Sequence, residues 1–286
     1  MIKSIKYFFE AILIYFFLVI GKLIGLYGAR KLFSFIFKKI GPFVKSRNII
    51  NKNLNRFLKK NSEESKNEII SNMWSNYGMT FIEYIFLNKF RNENSHINIE
   101  GEKILDDISN SNKPVIFISG HFANFELMSM EITKKKINLA TIYRPLNNFF
   151  LNPFMEYLRK NYICKTQIKK GLKGVREALT YFKRGKSLAI MIDQRVTEGI
   201  DVKLFGKNAF TTTIPAQFVK KFGCLIQPVY IERINSVNFK VVFDDHLDFN
   251  NDKNIENITK KLNQWLEDKI IKNPDQWIWT HDRWKH

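Results

Sequence analysis

Four short runs that are apolar from end to end constrain this chain most: VIFIS at 115–119, LATIY at 139–143, SLAIMI at 187–192 and LIQPVYI at 225–231. Each has the length of a strand, and the lack of polar alternation means that both faces must be covered. Helical patterns lie between the runs. Asn152 and Pro153 make an N-cap and first-turn pair opening a helix to about Lys160, and Leu172, Val175, Leu179 and Phe182 mark another, stopped at Gly185. Ile255, Ile258, Leu262, Trp265, Leu266 and Ile270 mark a last one. This alternation predicts an α/β domain with a mixed, mostly parallel central sheet flanked by helices. Ahead of it, Ile69, Ile70, Met73, Trp74, Tyr77, Phe81, Tyr84 and Ile85 recur at helical spacing and predict one long amphipathic helix over 63–90, with Glu63 and Glu64 in its first turn.

The 286 residues suffice for one large domain with an appendage, and two cysteines in that length exclude a disulfide scaffold. Intrinsic disorder is excluded by 26 Phe, 10 Tyr and 5 Trp. The net charge of +19 is unevenly placed: residues 1–60 carry thirteen Lys or Arg against the single acid Glu10, so they hold +12 of it. The same block holds the most apolar stretch, Tyr7 to Tyr27, whose longest uncharged run, Ala11 to Gly21, is eleven residues. A helix crossing the hydrocarbon needs about 20 mostly apolar residues, so this one is marginal as a span. A tilted span with Glu10 and Lys22 snorkelling, or a helix lying in the interface, fits the pattern better than a cleaved leader. The cations that follow, from Arg30 to Arg47, favour an anionic leaflet and place the rest of the chain on the cytoplasmic side. A membrane anchor over 1–40 and one domain over 41–286 are expected.

In sheets of this kind chemistry collects just beyond the strand ends. The first apolar run delivers Ser119-Gly120-His121-Phe122-Ala123-Asn124-Phe125-Glu126, a glycine turn carrying a histidine with an acid five positions on. Positions five apart on a regular helix lie about 140° round the axis, so His121 and Glu126 are expected to meet with His121 in the turn and Glu126 in the first helical turn. A carboxylate on one ring nitrogen would fix the tautomer and leave the other nitrogen to take a proton from a hydroxyl. A structural hydrogen bond is the plainer reading of such a pair. His121 and Glu126 have no further ligands at helical spacing, so no metal is expected there. His96 and His246 lie among polar loop residues, His286 is terminal, and Cys164 and Cys224 read as core or partly buried thiols.

The segment around His121 resembles the H-x4-D/E motif of the glycerolipid acyltransferase superfamily. Further matches follow in order: Tyr143-Arg144-Pro145, Asp193-Gln194, Leu204 to Thr211 with Ile214-Pro215-Ala216, and the closing Trp279-Thr280-His281-Asp282-Arg283-Trp284-Lys285. Together the set is similar to the lipid A biosynthesis late acyltransferases. That resemblance implies transfer of a fatty acyl chain from acyl carrier protein to a hydroxyl of a lipid A precursor at the cytoplasmic face of the bacterial inner membrane. It implies His121 as general base with Glu126 as its partner, Arg144, Arg159 and Asp193 as substrate-binding residues, and 41–286 as the acyltransferase catalytic domain; with no metal cluster and no nucleotide-binding glycine loop in the sequence, no bound cofactor is expected.

Acyl carrier protein, an anionic lipid acceptor and the membrane surface are the expected partners. Lys134, Lys135 and Lys136, or Lys169, Lys170 and Lys173, are candidate docking patches for the acidic carrier. Nucleic acid is not expected, because aromatics do not interleave with Lys and Arg on a strand face. Two other readings stay open: an acyltransferase for another glycolipid or phospholipid acceptor, and a non-catalytic basic membrane-binding protein.

Overall fold

In the computed structural model, residues 2–45, 47–58, 63–249 and 252–285 are described. The chain begins with two helices, α1 (Ile2–Leu23) and α2 (Gly25–Val44), then α3 (Arg47–Phe57), α4 (Glu63–Glu83) and α5 (Leu87–Asn92). The α/β portion runs β1 (Ile97–Glu100), α6 (Glu102–Ser111), β2 (Ile116–Ser119), α7 (Glu126–Lys134), β3 (Leu139–Tyr143), α8 (Asn152–Leu158), β4 (Thr166–Lys169), α9 (Leu172–Lys183) and β5 (Ser187–Met191). It continues with β6 (Ile200–Leu204), β7 (Lys207–Thr211), α10 (Ile214–Phe222), β8 (Ile226–Ile234), β9 (Asn238–Phe243) and α11 (Ile255–Lys272).

The seven-stranded sheet has the order β1-β9-β8-β2-β5-β3-β4. The five strands from β8 to β4 are mutually parallel, while β9 runs antiparallel to β8 and carries β1 with it. The sheet is therefore mixed and mostly parallel, as the wholly apolar runs predict. All four residues of β2 are buried, because helices cover both faces of a central strand. From β2 the chain moves to β3 on one side, and from β5 it moves by way of β6, β7 and α10 to β8 on the other. The crevice beyond the carboxyl ends of β2 and β5 is thus the topological switch point, where α/β sheets bind their ligands.

One expectation needs correction. The long helix over 63–90 breaks at a 3-10 turn, Tyr84–Phe86, that separates α4 from α5. The Leu204-to-Thr211 segment is a hairpin apart from the main sheet: β6 and β7 pair antiparallel across Phe205 and Gly206, both at positive φ, as a two-residue turn between twisted strands requires.

At the N-terminus, α1 is long and apolar enough by length and composition to cross a membrane, longer than its uncharged run suggests. Ile5, Phe8, Phe9, Ile12, Leu13, Phe16 and Val19 on it are exposed. The chain breaks between α1 and α2 at Gly25, whose φ is +74°. The boundary expected at residue 40 falls inside α2, which packs along α4: Arg30 is buried and its Nε donates to Glu83 Oε1 at 2.6 Å. Gly78 lets the helices approach this closely, since a Cβ there would overlap the Phe33 carbonyl, a backbone atom that cannot rotate away. Gly78→Ala should therefore destabilise the protein by about 1–3 kcal/mol through overpacking, with a lowered thermal unfolding midpoint in detergent. An unchanged midpoint would mean that α2 does not rest on α4 there.

Candidate functional site

His121 and Asp193 follow the ends of β2 and β5. The pairing of these strands sets Ser119 opposite Met191, and Ile192 N–H donates to Ser119 O at 2.9 Å, so two residues further on His121 faces Asp193. Asp193 is completely buried. Its Oδ1 lies 2.8 Å from His121 Nδ1, and its Oδ2 accepts from the His121 backbone N–H at 2.7 Å and from Trp277 Nε1 at 3.0 Å. An ionised carboxylate only accepts, so Nδ1 carries the proton and the lone pair of neutral His121 sits on Nε2. Nε2 has no hydrogen-bond partner among the described residues, and His121 lines a cavity of about 600 Å³. Burial by itself would push the His121 pKa down, but the Asp193 charge and hydrogen bond outweigh it and hold the imidazole above its ordinary value. Burial would likewise raise Asp193, and the His121 ring and backbone N–H together hold it below the usual carboxylate range.

The expected bond between His121 and Glu126 is not formed. The turn between β2 and α7, with Ala123 at φ 42°, leaves His121 level with the end of β5, while Glu126 opens α7 and faces the 3-10 turn after α4 and the turn after α8. Glu126 Oε1 accepts from Tyr84 Oη at 2.7 Å and from Arg159 Nε at 2.8 Å, with Arg159 Nη2 at 2.6 Å. Arg159 begins a π-helical turn (Arg159–Ile163) that continues α8, and its guanidinium lies over the Tyr84 and Tyr143 rings. Burial disfavours the Arg159 charge, yet Glu126 and Tyr84 more than compensate and raise its pKa. Glu126 and Arg159 both line the cavity beside His121, and Arg144 lies exposed on its rim just after β3. The structure thus gathers all five expected residues at one switch point, in a different pairing.

A second buried carboxylate, which the sequence reading passed over, holds the turn from below. Glu83 accepts from Arg30 on α2, from Arg233 on β8 at 2.5 Å and 3.0 Å, and from Asn124 Nδ2 at 2.9 Å. Ala123 is fixed at both backbone groups, its N–H by Gln276 O and its carbonyl by Thr80 Oγ1. No spacing rule links positions 30, 83, 124 and 233, so no sequence signal marks them as a set.

The remaining candidates sort by burial. Cys164 and Cys224 have their thiols pushed up by burial, to about 11 and about 12, which suits inert core positions. His96 lies in the polar turn ahead of β1, but its side chain is buried, its ring 4.6 Å from that of Phe90, and burial lowers its pKa to about 4. His286 lies outside the described residues. The rim segment beyond Arg144 is bound to α1, with Asn148 Nδ2 donating to Tyr7 O at 2.8 Å and Tyr15 Oη to Phe150 O at 3.0 Å. Leu146, Phe149 and Phe150 there are exposed and extend the apolar surface of α1 to the cavity mouth.

A histidine aligned by a buried carboxylate, at a switch-point cavity that an exposed apolar surface leads up to, is the layout of an α/β enzyme with its site at the strand ends. The family model described as bacterial lipid A biosynthesis acyltransferase matches residues 3–286, and the chain belongs to that family. No curated protein matches the sequence significantly. Among solved structures, the chain is similar to the 1-acyl-sn-glycerophosphate (LPA) acyltransferase PlsC from Thermotoga maritima, at 13% identity and a TM-score of 0.42, over 89% of this chain and 100% of that one. That likeness is too distant to bear on substrate.

Asp193→Asn should lower the His121 titration midpoint, because it removes the charge that outweighs burial. The His121 ring-proton resonance followed by NMR across pH measures this directly, and a midpoint that stayed in place would show that Asp193 does not hold the ring.

Proposed function

We propose that this chain moves a fatty acyl group from the thioester of acyl carrier protein to a hydroxyl of a lipid A precursor, at the cytoplasmic face of the bacterial inner membrane, with His121 as general base. The observation that carries this reading is the buried Asp193 on His121 Nδ1, which leaves Nε2 unpaired beside the cavity. The acceptor oxygen attacks the thioester carbonyl carbon as its proton passes to Nε2, and Asp193 steadies the imidazolium. The tetrahedral oxyanion then collapses, the carbon–sulfur bond breaks, and the departing thiolate takes the proton from His121. No acyl-enzyme intermediate is required.

Glu126 and Tyr84 hold Arg159 in place as a fixed positive charge at the cavity wall, and Arg144 on the rim suits a phosphate or carboxylate of the acceptor. Residues 1–40 serve as anchor, and the acceptor reaches the cavity along α1 and the 146–150 segment without leaving the bilayer surface.

The carrier docks at Lys169, Lys170 and Lys173. Lys170 lines the cavity and all three are exposed, Lys169 reaching Glu156 only at 3.9 Å, whereas Lys134 pairs with Glu131 at 2.8 Å and Lys135 with Glu102 and Asp106 at 2.8 Å and 2.6 Å.

His121→Ala should lower acyl transfer by about 10²- to 10⁴-fold with an unaltered circular dichroism spectrum. Near-normal transfer by that variant, measured with labelled acyl carrier protein and lipid A precursor, would remove the central claim. Reversing the charge at Lys169, Lys170 and Lys173 should raise KM for the carrier, with little effect on kcat, and should flatten the salt dependence of transfer. An unchanged KM would exclude this patch.

A further inference from the structure

His281, in the closing segment after α11, lines the same cavity as His121 and lies within electrostatic reach of both His121 and Asp193. Almost every polar atom on it is committed. Its backbone N–H donates to Ile278 O at 3.4 Å, and its carbonyl accepts from Asn53 Nδ2 and from the Arg283 N–H, both at 2.8 Å. Its ring Nε2 accepts the Arg195 backbone N–H at 2.9 Å. An N–H donor can be received only by an unprotonated ring nitrogen, so this contact excludes the Nε2–H tautomer and the imidazolium alike. The proton of the ring therefore sits on Nδ1, which has no partner among the described residues. Burial lowers the His281 pKa, in keeping with a ring that stays neutral.

We propose that His281 is a second active-site histidine, a permanently neutral hydrogen-bond donor whose Nδ1–H meets the thioester carbonyl oxygen as it gains negative charge. The two rings divide the work by the same rule applied in opposite directions. A carboxylate on Nδ1 of His121 leaves an acceptor at Nε2, and a backbone donor on Nε2 of His281 leaves a donor at Nδ1. A donor aimed at developing charge in a site shielded from water strengthens in the transition state, so it acts on kcat. Asn53, Trp279 and Arg195 set the position of the ring, and Arg195 in turn anchors its side chain to Lys285 O at 2.6 Å.

This inference rests on the acyl-transfer reading above, and two amide substitutions separate it from a merely structural role. His281→Asn keeps an N–H at the δ position and loses the acceptor for Arg195, whereas His281→Gln keeps an acceptor at the ε position and loses the δ donor. With labelled fatty acyl carrier protein and a lipid A precursor in mixed micelles, His281→Gln should lose about 10²- to 10³-fold in kcat with little change in KM, the usual cost of one oxyanion donor. His281→Asn should retain at least about tenfold more kcat than His281→Gln.

The reverse order, with Gln above Asn, would show that His281 only props the Arg195 loop and would overturn the proposal, as would a loss confined to KM. Nitrogen-15 NMR of labelled histidine should show Nδ1 protonated at neutral pH in the inactive His121→Ala background, and a protonated Nε2 would overturn the assignment without reference to turnover. His121→Ala run alongside keeps the outcomes apart: full activity there defeats the base assignment, whereas a dead His121→Ala with Gln above Asn defeats this inference alone.

Discussion

Placing the Asp193 carboxylate where no solvent reaches it is the arrangement on which the candidate site depends. An unpaired charge in such a place costs several kcal/mol, so three donors must converge on it. The His121 backbone N–H, the His121 ring and the Trp277 indole meet that demand. The His121 ring is consequently fixed in direction and tautomer before any substrate arrives. The same three contacts tie the end of β2, the end of β5 and the segment after α11 to one point, so the site and the closing of the fold are a single construction.

Glu83 has the corresponding role in the layer below. Two arginines and Asn124 compensate its burial, which alone would raise the carboxyl, and the outcome is a pKa below the usual carboxylate range. The network joins α2, α4, β8 and the turn that carries His121. Because Arg30 belongs to α2, the N-terminal helices are coupled to the turn that carries His121 through buried ion pairs as well as through apolar packing. The exposed apolar surface of α1 and the cavity mouth therefore keep a fixed relation, which suits an acyltransferase whose acceptor is itself a lipid.

The cations on this chain separate into those already answered and those left open. Lys134 and Lys135 are neutralised by acids on α6 and α7, and their neighbourhood is an internal brace. Arg144 and Lys170 are exposed at the cavity, and Lys173 is exposed on the first turn of α9. A run of three lysines in sequence says nothing about which of these two fates applies. Only the positions of the acids in space decide it.

The sequence determined four of the seven strands of the central sheet, β2, β3, β5 and β8, because apolar runs of strand length must be buried on both faces. LATIY at 139–143 became β3 residue for residue, and the helices over 172–183 and 255–272 began where their periodic residues put them, while Asn152 opens α8 from inside it and its Oδ1 accepts the Leu146 N–H rather than capping the helix. It also singled out His121 and Glu126, which follow a strand end where side chains reach a shared crevice, while the resemblance to the late acyltransferases added Arg144, Arg159 and Asp193. The pairing among them came from tertiary structure alone. Strand order and register are set by how helices pack across a sheet, and they put His121 opposite Asp193, seventy-two residues away, while Glu126, five residues away, turned to Arg159. Local spacing fixes which groups are candidates; the geometry of neighbouring strands fixes which of them touch.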